Sequence, residues 1–90
     1  MKAITAEGVV TEVGTEEVFS DKFKKKNLFL KVKDGDYSDE VVIEFINNNV
    51  PKLKDINVGD SLSVKFDVRG KRNASGKVFV SLAGFMVTKK

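Results

Sequence analysis

Apolar residues along this chain recur mostly at every second position, the period of a strand with one buried face, and one stretch departs from it toward helical spacing. From Ala3 to Val13 the residues Thr5, Val9, Val10, Thr11 and Val13 favour extended backbone, and Gly8 among them predicts a bulge or sharp bend in a long, curving first strand. Residues 14–26 keep no period and hold Gly14, Ser20, Asp21 and a lysine run, the composition of a loop or ragged hairpin connection. Asn27 to Lys33 alternates, with Leu28, Leu30 and Val32 on one side and Phe29, Lys31 and Lys33 on the other, which gives a half-buried second strand. Asp34-Gly35-Asp36 reads as a turn into a third strand, Glu40 to Ile46. Its inward face is open to two readings, because Val41, Ile43 and Phe45 form one apolar row while Val42 and Ile46 flank Glu44 on the other.

The departure from period two lies in residues 47–56. Asn is available there as an N-cap, Pro51 stands near a first helical turn, and Val50, Leu53 and Ile56 lie at helical spacing, so a single short helix or helical turn is expected. Val58-Gly59-Asp60 then turns into Ser61 to Arg69, where Leu62, Val64, Phe66 and Val68 alternate with polar residues and Phe66 is read as core. A glycine-bounded loop over residues 70–76 leads into a last strand, Lys77 to Thr88, paired back as a hairpin. Its apolar residues fall on both rows, Val78, Val80, Leu82 and Met86 on one and Phe79, Ala83, Phe85 and Val87 on the other, so something should cover its second face: barrel closure or a partner copy. Five strands with one short helix between the third and fourth is the element order of the OB-fold, an all-β Greek-key barrel. Ninety residues fit one such domain, residues 1–90.

Composition narrows the chemistry. The chain has no Cys and no His, so thiolate chemistry, cysteine zinc sites and the commonest general base are absent, and binding rather than catalysis is expected. The acidic run Asp34, Asp36, Asp39, Glu40 lacks the ligand spacing of an EF-hand loop, and no cofactor or metal is expected. No apolar run is long enough for a membrane span and the N-terminus lacks a signal-peptide core, so a cytoplasmic protein is expected. The net charge of +3 conceals blocks: −3 over residues 1–18, +5 over 19–33, −5 over 34–60 and +6 over 61–90. In an OB-fold the loops between strands 1 and 2 and between strands 4 and 5 project on one side, so both basic blocks should meet around one face.

Two stretches carry a resemblance. Val58 to Val68, followed after a glycine-bounded loop by Gly76-Lys77-Val78-Phe79-Val80, resembles the second half of bacterial single-stranded-DNA-binding proteins. From Gly8-Val9-Val10 through Phe23-Lys24-Lys25-Lys26, Val41-Val42-Ile43-Glu44-Phe45 and the last hairpin, the chain also resembles a family of short, uncharacterised OB-fold proteins of Bacteroidetes. The first resemblance implies a protein that binds single-stranded nucleic acid with little sequence preference, DNA before RNA, as in DNA replication or repair. The phosphate contacts would be Lys22, Lys24, Lys25, Lys26, Lys31, Lys65, Arg69, Lys71, Arg72 and Lys77, and the stacking rings Phe23, Phe29 and Phe79. Here the sequence departs from the pattern, because the outward row of the third strand is Glu40, Val42, Glu44 and Ile46, without a ring, so charge must carry most of the affinity. Two other readings stay open: the lysines solubilise a small barrel, or the domain is an oligomeric or protein-interaction module using the second row of strand five or the Val42 and Ile46 row. Phe29 and Phe79 could equally pack into such a contact.

Overall fold

In the computed structural model, which describes residues 3–34 and 36–90, the alternating segments close into a barrel. Met1, Lys2 and the Gly35 of the expected turn lie outside the described residues, as do the side chains of Lys33, Asp34 and Tyr37, and with them the outward placement of Lys33 and part of the acidic run. The described residues form six strands, β1 Ile4–Val13, β2 Glu17–Ser20, β3 Phe23–Asp34, β4 Tyr37–Ile46, β5 Ser61–Arg72 and β6 Val78–Lys89, with a 3₁₀ helix Asn47–Leu53 between β4 and β5. Antiparallel pairings join β1 to both β3 and β5, β3 to β4 and β5 to β6; a parallel bridge between Glu44 and Ala83 joins β4 to β6 and closes the ring. This is the expected five-stranded OB-fold, extended by the short β2, which pairs with the start of β3.

The inward rows supply the core. Leu28 and Leu30 of β3, Ile43 and Phe45 of β4, Leu62, Val64 and Phe66 of β5 and Val10 of β1 are buried together, and Leu53 and Ile56 join them from the connector. Burying each such side chain contributes roughly 1.5–3 kcal/mol, which is why the apolar period dictates the face each strand turns inward. The ambiguity in β4 resolves the same way: Ile43 and Phe45 are fully buried, Val41 packs against the core, and Val42 and Ile46 fall on the outer row.

Two glycines permit close approaches that closure requires. A Cβ on Gly8 would lie 2.2 Å from the Lys31 carbonyl oxygen, where β1 bends from β5 toward β3, and one on Gly84 would lie 2.4 Å from the Phe45 ring. The bend expected at Gly8 is accompanied by a bulge in β1 between Val10 and Glu12.

Four expectations need correction. β3 begins at Phe23, so the Phe23–Lys26 run is strand rather than loop, because β2 supplies its hydrogen-bonding partner. β5 continues to Arg72, which shortens the loop expected over residues 70–76. No Asn caps the connector helix: Ile46 occupies the N-cap without a side-chain bond, and Asn47, at φ +50°, uses its Oδ1 to accept the Lys24 backbone N–H at 2.9 Å. In β6 an irregularity opposite Lys65 and Phe66 inserts Phe85, which swaps the two rows beyond it, so Met86 faces outward and Val87 packs on the core.

Candidate nucleic-acid interface

Because Leu28 and Leu30 point inward, the alternate residues of β3, namely Phe23, Lys25, Asn27, Phe29 and Lys31, make one continuous outer row. Two ring–cation pairs, Phe23 with Lys25 and Phe29 with Lys31, therefore flank Asn27 along a single strand. Phe23 is exposed and stacks on Phe19 of β2, with ring centroids 5.2 Å apart, and the Lys25 ammonium lies 5.8 Å from the centre of the Phe19 ring. Phe29 is half-buried rather than exposed, paired in register with Val42 of β4 and Glu12 of β1. Lys31 is exposed opposite Glu40, whose carboxylate accepts a hydrogen bond from Thr11.

The second basic block stands on the far ends of β5 and β6, which run beyond the barrel as a two-stranded arm whose residues from Arg69 to Val80 are all exposed. Register places Lys71 opposite Phe79 and Arg69 opposite Ser81 on one face, and Gly70 opposite Val80 and Arg72 opposite Val78 on the other. The tip is ordered by Asn73, whose Oδ1 accepts the Ser75 N–H at 3.1 Å, the Ser75 hydroxyl at 2.8 Å and the Lys77 N–H at 3.0 Å. Held there, Lys77 sets its ammonium 5.5 Å from the centre of the exposed Phe79 ring. The Arg72 guanidinium donates to the Gly76 carbonyl at 2.6 Å and so serves the turn.

Glu44 connects the two blocks. Its carboxylate is 3.6 Å from the Lys25 ammonium, and it lines an open groove of about 580 Å³ together with Arg69, Lys71, Phe79 and Ser81. The contacts thus run in one strip from the Phe19–Phe23 stack through Lys25 and Glu44 to the arm, so the first basic block is linked to the second through Lys25.

Not every residue singled out from the sequence joins that strip. Lys24 and Lys26 lie on the row of β3 that carries Leu28, beside the 3₁₀ helix and Phe45, so only Lys25 of the lysine run reaches the groove face. Lys22 sits in the β2–β3 turn, beside a separate recess lined by Phe23, Asn47 and Asn48. Lys65 stands between Thr5 and Met86, where β1, β5 and β6 meet, and does not line the groove. In the other direction, Phe19 was missed. The signal was present in Glu17-Val18-Phe19-Ser20, a short extended run before Asp21 and Lys22, which form the hairpin turn.

Comparison with known proteins supports the architecture. The chain superposes on the mitochondrial single-stranded DNA-binding protein Rim1 of S. cerevisiae with a TM-score of 0.79 at 12% identity, covering 98% of this chain and 94% of that one. A second form of Rim1 gives a TM-score of 0.73 at 13% identity, covering 98% and 93%. At such identity the likeness is one of fold. No curated protein matches the sequence. A match to one family model runs over residues 5–88, nearly the whole chain, and the chain accordingly belongs to the family described as a domain of unknown function, DUF3127.

Proposed function

We propose that this protein binds single-stranded nucleic acid, DNA in the first instance, along the strip formed by the outer row of β3 and the groove face of the β5–β6 arm. The observation that carries this reading is the outer row Phe23, Lys25, Asn27, Phe29 and Lys31, linked through the Lys25–Glu44 pair to an arm with Arg69, Lys71 and a Lys77–Phe79 pair. A strand needs both partners at once, cations for its phosphates and ring faces for its bases, and each stacked base contributes about 1–3 kcal/mol. The fold it shares with Rim1, described as a mitochondrial single-stranded DNA-binding protein, supports the same reading. With neither His nor Cys in the chain, binding is favoured over catalysis, and a role on opened strands in replication or repair is in keeping with that reading.

Fluorescence anisotropy with labelled oligo(dT) tests it. Tight binding at low salt that weakens by at least about tenfold at physiological salt is the expected result, since neutralised phosphates release counterions. Absence of binding at low salt rejects the reading. One observation favours a second reading, an interface with another protein or another copy: Val78 and Val80, 48% and 67% exposed, leave an apolar pair on the arm, with Val80 also bordering the groove. A sizing column run beside the titration separates the two, because this reading requires a stable oligomer or complex without nucleic acid.

A further inference from the structure

Glu44 is a carboxylate placed where a phosphate-binding surface has no use for one. It stands on the outer row of β4, opposite Asn27 in the ring-and-cation row of β3, and lines the groove with Arg69, Lys71 and Phe79. Among the described residues it is the one acidic side chain lining that groove. A negative charge there repels phosphates, so a strand lying in the groove must turn its phosphates toward the cations of the arm, Arg69 and Lys71, and its bases toward Glu44. Lys25, at 3.6 Å, offsets the charge as an ion pair, but at that distance it makes no tight hydrogen bond, so the carboxylate keeps its capacity to accept from a ligand.

We infer that Glu44 reads the bases, favouring those that present an amino group, cytosine over thymine above all; this rests on the nucleic-acid reading of the same groove. Cytosine and thymine have rings of one size and stack alike, but at the same ring position cytosine offers the N4 amino donor and thymine the O4 carbonyl. A carboxylate accepts from the first and repels the second. The Oδ1 of Asn27 across from it is buried without a partner, so it does not accept from a base beside Glu44. The protein thus has a modest preference imposed on a largely electrostatic affinity.

The test is competition anisotropy with oligo(dC) and oligo(dT) of equal length, at one salt concentration and slightly alkaline pH so that cytosine stays unprotonated. The wild-type protein is expected to bind oligo(dC) about fivefold more tightly, the size of one single hydrogen bond at a half-exposed site. Glu44→Gln, whose amide can accept from cytosine and donate to thymine, should bring the ratio to within about twofold of one, chiefly by tightening oligo(dT). Equal binding of both oligonucleotides by the wild type overturns the inference without needing a variant. A Glu44→Gln protein that tightens both alike and leaves the wild-type ratio intact also overturns it, since the carboxylate would then act only on phosphates. If neither oligonucleotide binds at low salt, the nucleic-acid reading fails with it.

Discussion

Asp60 shows how one side chain ties a loop to the barrel. Its carboxylate accepts the Asn57 N–H at 2.8 Å and pairs with Lys89 at 3.3 Å, while its own carbonyl accepts the Val10 N–H at 2.9 Å. The Asn57 hydrogen bond, with Lys89 in support, holds the carboxyl below its usual value of 3.8. A depressed folded value means a contribution to stability that is present above 3.8 and disappears as pH falls through the folded value. Asp60→Asn should therefore lower the urea midpoint at neutral pH, and the gap to the wild type should close in strong acid. A gap of equal size at both pH values would assign the loss to something other than ionisation. Gly84 makes a steric case at the same scale. Because a Cβ would reach 2.4 Å from the Phe45 ring inside a closed core, Gly84→Ala should cost about 1–3 kcal/mol in urea unfolding, and Gly70→Ala, with only the Phe79 carbonyl near at 3.9 Å, should cost far less.

At the scale of elements, the β5–β6 arm depends on its tip. Asn73 orders the turn through three hydrogen bonds to one oxygen, and the turn sets Lys77 over Phe79. Asn73→Ala should weaken single-strand binding by roughly threefold to tenfold through loss of that ordering, while leaving the thermal midpoint close to the wild type, because the tip is exposed and distant from the core. A change in melting without a change in affinity would make the tip structural only. The arm also shows where sequence reading succeeds. Leu62, Val64 and Phe66 declared β5 because burial enforces their period, and the same held for Leu28 with Leu30, whereas in β4 Val42 and Ile46 masked that Ile43 and Phe45 form the buried row. Beyond the barrel that constraint vanishes. Lys71 and Arg72, and Phe23 to Lys26 at the other hairpin, belong to strands with little buried surface, so their extended state comes from pairing with β6 and β2, which local pattern does not display. The inserted Phe85 was hidden for a different reason: one additional residue inverts every later side chain, and nothing in the composition of Gly84-Phe85-Met86 marks which residue is unpaired. For the candidate site, the sequence located the two basic segments but not how they divide between faces, which separates Lys25 from Lys24 and Lys26.

For the molecule as a whole, the net charge of +3 carries less information than its distribution. Barrel closure places Lys25, Lys31, Arg69, Lys71 and Lys77 toward one strip and leaves Lys65 between Thr5 and Met86, outside the groove lining. A protein that attracts nucleic acid through diffuse positive charge would respond alike to the loss of any lysine; one that binds along the strip would not. If these five cations each neutralise a phosphate, the logarithm of the association constant should fall against the logarithm of salt with a slope of about −3 to −4, at roughly −0.7 per contact for a single strand. Lys71→Ala should then make the slope shallower by about 0.7, and Lys65→Ala should leave both slope and affinity close to the wild type. The comparison is informative because both substitutions remove one exposed positive charge from β5, six residues apart on the same outer row, so net charge changes identically and only position differs. Equal losses from the two variants would mean that the ligand is held by the overall field rather than by the groove. Loss from Lys71→Ala alone would place the phosphates along the strip.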